Sequence, residues 1–216
     1  MENFKATLLQ KKFMTQDSLF EQLKHPNPNL RDRAMWEIVE TSDETTIPRL
    51  MAVLDETDTT YRRAAVKTIG AMGMPSVPYL VESLLGSDNI TVRGSCAKGL
   101  AQVALNYRDE TFPAEGIEGL AKALNDENPV VHIASAMALG VIGKPALDSL
   151  LDTLQTTNNL GLAVSLVNAI SSIDDDRSRE KLKQLSEDES TDTYVRETAK
   201  SALSRLELLE ANTPKQ

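Results

Sequence analysis

The residues able to do acid–base, nucleophilic or metal chemistry are few and scattered. Cys96 is the single thiol, and His25 and His132 are the two imidazoles in 216 residues. A Ser-His-Asp relay needs three converging groups, and no spacing here argues for one. A di-iron centre on paired helices calls for several His-Glu pairs, and the chain has no His-Glu dipeptide. One thiol closes no internal disulfide and no cysteine-only metal cage, and it fits a reducing compartment. Cys96 could act as a lone metal ligand completed by a partner, or as a nucleophile. A place in the first turn of a helix would lower its pKa. Its register argues for the plainer role of a small, buried core residue. His25 lies in a turn and His132 replaces a recurring arginine, so a structural or surface role is expected for both. No catalytic residue is assigned, which leaves catalyst and non-catalytic scaffold as two alternatives.

The recurring arginines are Arg31, Arg62, Arg93 and Arg196. Such a ladder could hold phosphates or propionates. Each arginine follows an acidic or Asn-rich turn, so pairing with turn carboxylates such as Asp55, Asp58 or Asp88 is the expectation. The run Asp174-Asp175-Asp176 precedes a helix and reads as a helix start and solvated surface, not a cation site. A net charge of −9 disfavours nucleic acid as a partner, because phosphate binding needs a basic surface.

These residues sit in a fixed frame. Leu30-Arg31, Tyr61-Arg62 and Val92-Arg93 recur at intervals of 31 residues, and the frame returns at Val131-His132 after 39 and at Val195-Arg196. A period of this size marks a solenoid of stacked helix pairs. The expectation is an all-α, right-handed helix-pair solenoid of about six repeats. It should span residues 18–209, after an N-terminal extension or cap at 1–17 and before a disordered tail at 210–216. In residues 1–16, Phe4, Leu8, Leu9 and Phe13 suit a capping helix. Aromatic residues are only 4% of the chain, so the core must be Leu, Ile, Val, Ala and Met. Polar turns rich in Asp, Asn, Pro and Thr separate the helices. Gly73 and Gly143 read as helix C-caps, each followed two residues later by Pro75 or Pro145. The long 39-residue step holds an insertion from Asn106 to Glu115 that contains Tyr107, Phe112 and Pro113. It reads as a binding loop or as passive surface.

Counting from the arginine, offsets +3, +4 and +7 share one helix face. They carry Ala34, Met35, Ile38; Ala65, Val66, Ile69; Cys96, Ala97, Leu100; and Ser135, Ala136, Leu139. That face should be core. Offsets +1 and +5 lie opposite and should line a concave side. They carry Asp32 and Trp36, Arg63 and Lys67, Gly94 and Lys98, Ile133 and Met137, about Val164 and Asn168, then Glu197 and Ser201. A basic stretch thus precedes an apolar one. Trp36, Arg63, Lys67, Lys98, Ile133 and Met137 are the candidate partner- or ligand-binding residues. In the fifth unit the basic residue is lost, and its register could shift by one. The helix near residues 130–142 is apolar nearly all round, which implies burial on both sides or an exposed binding strip.

The segments Tyr61-Arg62-Arg63-Ala64-Ala65-Val66-Lys67-Thr68-Ile69-Gly70, Val92-Arg93-Gly94-Ser95-Cys96-Ala97-Lys98-Gly99-Leu100 and Gly73-Met74-Pro75-Ser76-Val77-Pro78-Tyr79-Leu80 resemble the short HEAT-like repeat of the phycobilisome lyases. That family includes the E/F-type phycobilin lyases of cyanobacteria and relatives in phycobilisome turnover. The resemblance covers about residues 18–208. It implies a HEAT-like fold and a protein-binding adaptor in phycobiliprotein chromophore attachment or turnover. The alternatives are a true bilin lyase subunit and an iron–sulfur or metal maturation adaptor using Cys96. The implied ligand is an open-chain tetrapyrrole, a phycobilin. The implied partner is a phycobiliprotein or a second HEAT-repeat subunit. No lyase-specific motif is present, so no catalytic residue is carried over. No apolar run approaches the ~18 residues of a membrane span, and the N-terminus lacks the apolar core of a secretory signal. A cytoplasmic location is the expectation.

Overall fold

The computed structural model describes residues 15–212, with side chains through Leu208. Phe4, Leu8, Leu9 and Phe13 lie outside the described residues, as do positions 213–216. Twelve α-helices and no strands make up the described residues, arranged as six helix pairs. The pairs are α1 (Gln16–Gln22) with α2 (Pro28–Glu40), α3 (Thr46–Ala52) with α4 (Thr59–Met72), and α5 (Val77–Gly86) with α6 (Ile90–Asn106). They continue as α7 (Ala114–Ala123) with α8 (Pro129–Ile142), α9 (Leu147–Thr156) with α10 (Leu160–Ser171), and α11 (Asp176–Glu187) with α12 (Thr193–Asn212). The last helix runs past the expected end of the solenoid at 209.

An Asn or Asp starts every second helix. The side chains of Asn27, Asp58, Asn89, Asn128 and Asn159 each accept from a backbone N–H in the first turn. Asp192 accepts from the Tyr194 N–H in the same way. Each cap satisfies an orphan donor and contributes about 1 kcal/mol. The recurring basic residue lies four positions beyond this cap in every unit that has one. Asn159 therefore fixes the fifth unit: Ala163 stands in the arginine position, and Val164 and Asn168 hold offsets +1 and +5.

The arginine ladder serves these same turns. Arg31 donates to the carbonyls of His25 at 2.6 Å and Pro26 at 2.9 Å. Arg62 donates to Glu56 and Thr57 carbonyls, and Arg93 to those of Ser87 and Asp88. Arg196 reaches the Glu189 carbonyl at 3.4 Å. A guanidinium here gathers the unsatisfied carbonyls of the turn five to seven residues back. The expected pairing with Asp55, Asp58 or Asp88 carboxylates is not what forms. Asp58 is spent on its cap, Asp55 accepts from Asn89, and Asp88 offers its backbone carbonyl. Only Arg93 adds a carboxylate, Asp126 of the next repeat, with Nε–Oδ2 2.7 Å and Nη2–Oδ1 3.1 Å. His132 does the arginine's work with its ring: Nδ1 lies 3.0 Å from the Asp126 carbonyl, again six residues back. A carbonyl only accepts, so Nδ1 carries the proton.

The second helices form an unbroken row, α2, α4, α6, α8, α10 and α12, each packed on the next. Among the first helices, α5 packs closely on α7 and α3 only lightly on α5. The more tightly spaced row is the inner one. Its core face follows the expected offsets: Ala34, Ile38, Ala65, Ile69, Cys96, Ala97, Leu100, Ser135, Ala136 and Leu139 are all fully buried. Val66 is half-buried.

Glycine ends two helices of this row, α4 and α8. Gly73 and Gly143 stand fifteen residues after their caps, with φ +77° and +85°. With ψ near −150° and −140°, this is backbone that essentially only glycine adopts, so both helices stop there. The corresponding residue of α6 is Ala104, and that helix runs on to Asn106. The insertion is thus partly a longer helix. Its aromatics fasten it down. Tyr107 donates from its hydroxyl to the Ala71 carbonyl at 2.7 Å and lies over Gly73. Phe112 is buried against Gly116, where any Cβ would meet its ring.

Candidate functional site

The offset +5 residues of the inner row all reach solvent: Trp36, Lys67, Lys98, Met137, Asn168 and Ser201. Trp36 is 55% exposed and Met137 63% exposed, unusual for such large apolar side chains. Arg63 is exposed and Ile133 half-buried at offset +1. The fold therefore gathers the six candidate residues along one face. Their charge differs from the sequence expectation in one respect. Lys67 Nζ pairs with Asp32 Oδ1 across the repeat boundary at 2.7 Å. Asp32 thus offsets part of the basic stretch, and Arg63 and Lys98 are its remaining cations. Between α2 and α4 a cavity of about 270 Å³ is lined by Arg31, Asp32, Arg63 and Lys67, among others.

The apolar stretch is longer than the sequence reading placed it. On α8, Val130 (52% exposed) and Val141 (40%) extend the line of Ile133 and Met137. The all-round apolar character of α8 thus has both meanings: its core face is buried, and one strip is open. Gly94 makes room for this strip, since a Cβ there would meet Val130 Cγ1 at 3.2 Å. Where α6 and α8 end, the insertion walls a cavity of about 650 Å³ with Leu105, Arg108, Glu110, Val141 and Lys144 in its lining. Sequence reasoning marked the insertion but missed this cavity. Only the missing glycine at Ala104 hinted at it.

Chemistry at Cys96 is held off by its surroundings. The thiol is fully buried, and burial pushes its pKa up to about 12. Cys96 is the seventh residue of α6, so it lies outside the first turn and gains nothing from the helix dipole there. A ligand or nucleophile needs the thiolate, so the maturation reading loses its anchor. Among the described residues, no three His, Cys, Asp or Glu side chains gather to hold a metal ion. The acidic run is a helix start, as expected: Asp175 caps α11, and Arg177 and Arg179 pair with its carboxylates. No helix of the described residues is long and apolar enough to cross a membrane.

The HEAT-repeat family model matches residues 17–101, 77–163 and 117–204. Two curated relatives match most of the chain. One, the "Uncharacterized phycocyanin operon protein Z" of Pseudanabaena tenuis, is 57% identical over 91% of this chain and 97% of its own length. The other, the "Bilin biosynthesis protein CpeZ" of a Synechococcus species, is 32% identical over 77% of this chain and 92% of its own length. The chain belongs to the HEAT-repeat family, together with these two relatives. Among solved structures, the complex of CpcE and CpcF of phycocyanin lyase from Nostoc is similar at 18% identity and TM-score 0.49, covering 71% of this chain and 96% of that one. Together the HEAT-repeat matches reach all six helix pairs. They include the third and fourth pairs, where the insertion, the apolar strip of α8 and the largest of these cavities lie together.

Proposed function

We propose that this HEAT-repeat chain is a protein-binding adaptor in phycobiliprotein chromophore attachment or turnover, working through the inner row of second helices. The supporting observation is the likeness over 91% of the chain to a relative named for a phycocyanin operon, beside a second relative, matched over 77% of the chain, named for bilin biosynthesis. The site fits an adaptor better than a catalyst. Its accessible residues are Trp36, Arg63, Lys98, Ile133 and Met137, which anchor and orient but do not relay protons, and the thiol is buried. Exposed aromatic and apolar side chains ringed by polar ones are what a partner desolvates. The partner of this reading is a phycobiliprotein or a second HEAT-repeat subunit. The ligand delivered with it is an open-chain tetrapyrrole, and the strip of Arg63, Lys98, Ile133 and Met137 suits an acidic, partly apolar surface of the partner.

The test is co-expression with a phycobiliprotein subunit and its chromophore, scoring capture and coloured adduct. Lys67→Glu with Lys98→Glu should leave the fold intact and weaken capture a few-fold, more at low salt than at high. Most of that loss should come from Lys98, because Lys67 is already paired with Asp32. Met137→Asp should weaken capture more. Wild-type capture by all of these variants at low and high salt would remove the inner row as the working surface.

A further inference from the structure

The cavity at the ends of α6 and α8 has the composition of a binding site, and the inserted residues build it. Of those residues, Tyr107 and Phe112 are used as fasteners, one on Gly73 and one on Gly116. Fastening holds Arg108, Glu110 and Thr111 at the rim. A passive loop needs no such anchoring. The facing side chains Leu105 and Val141 are 38% and 40% exposed. Two cations, Arg108 and Lys144, stand against one carboxylate, Glu110, in a chain whose net charge is −9.

The cavity does not end at its rim. Val141 continues the exposed line of α8 through Met137 to Val130, spaced four and seven residues apart on one helix face. From Val141 to Val130 the rise is about 16 Å. At the far end, Val130 shares a second cavity of about 300 Å³ with Arg63 and Lys98. Positive charge thus marks both ends, with apolar surface between. An occupant that fills this track is elongated, apolar in the middle and acidic at both ends. We infer that the track from Arg108 and Lys144 to Lys98 binds a polypeptide segment of a partner with an apolar centre flanked on each side by acidic residues. The apolar middle of the track, about 16 Å, suits about five extended residues. This deepens the proposed function in one respect, that the inner face is the working surface, and it requires nothing of the chromophore.

The test uses two fluorescein-labelled peptides with the same central Leu/Phe pattern, one flanked by Glu at both ends and one by Lys. Anisotropy titration of the full chain should show the acidic peptide binding about tenfold more tightly at low salt, the size expected for several solvated charge contacts. Arg108→Glu with Lys144→Glu should erase that preference or reverse it. Val141→Asp should weaken both peptides about tenfold by putting a charge against the apolar centre. Unchanged circular dichroism and unfolding midpoint for these surface variants keep the comparison clean. Equal affinity for the two peptides, or no effect of either variant, overturns the assignment. So does 8-anilinonaphthalene-1-sulfonate binding in the cavity while neither peptide binds, which would make it a small-molecule site. If the peptides fail but Met137→Asp still abolishes phycobiliprotein capture, the inference falls and the proposed function stands. Peptide binding with no coloured adduct from any co-expression does the reverse.

Discussion

Arg93→Ala should be the most costly single change in the arginine ladder. Arg93 bridges the third and fourth repeats with two bonds to Asp126 and two to the carbonyls of Ser87 and Asp88. The side chains are only 17% and 13% exposed. Exposed ion pairs contribute ~0–1 kcal/mol, and breaking a buried one costs ~3–5 kcal/mol. This pair lies nearer the buried limit, yet Asp126 keeps its bond from the Asn128 N–H after the arginine is removed. The expected loss is about 2–3 kcal/mol. In Arg62, the equivalent side chain holds only exposed carbonyls and a hydroxyl, and Arg62→Ala should cost under about 1 kcal/mol. Urea unfolding of both variants, with Asp126→Ala closing a double-mutant cycle, gives a coupling energy of about 2 kcal/mol if the reasoning holds. The dependence on pH gives a second reading. The Arg93 hydrogen bond, helped by the Asn128 N–H, holds the Asp126 carboxyl below the usual carboxylate range. A depressed folded-state pKa stabilises at pH above the unfolded value of about 4 and stops doing so as pH falls through the folded value. The gap between wild type and Arg93→Ala should therefore be full at neutral pH and shrink in acid. Arg93→Ala costing no more than Arg62→Ala, or a gap unchanged at low pH, would refute the clamp.

Glycine substitutions separate two kinds of constraint. Gly143 has open space around it but φ +85°, so Gly143→Ala should cost about 1–3 kcal/mol through backbone strain alone. Gly140→Ala should cost a similar ~1–3 kcal/mol through packing, because its Cβ would meet the Ala169 Cα at 3.0 Å and push α8 from α10. Thermal melts check both, and a loss below about 0.5 kcal/mol in either would contradict its argument. Native Cys96 should resist Ellman's reagent until the chain unfolds, with a rate that follows denaturant. Reaction as fast as that of a free cysteine would reopen its chemistry.

The features legible in the sequence are those set by neighbours along the chain. Asn or Asp before each second helix, apolar residues at +3, +4 and +7, and glycine at 73 and 143 act within a turn or two, so their spacing alone reveals the helix pairs and the core face. The offset +5 row from Trp36 to Met137 was readable for the same reason, since helical periodicity sends opposite offsets to opposite sides. The features that escaped depend on residues about thirty or more positions apart. Asp32 meets Lys67, Asp126 meets Arg93 and Tyr107 meets Ala71 only because consecutive repeats stack. The turn arginines other than Arg93 were misassigned to carboxylates because backbone carbonyls have no signature in a sequence. The repeat and its register were determined by the amino-acid order, through local hydrogen bonding and periodicity. The neutralised lysine and the cavity beside the insertion were decided by stacking, which alone sets what each side chain faces across the gap between helices.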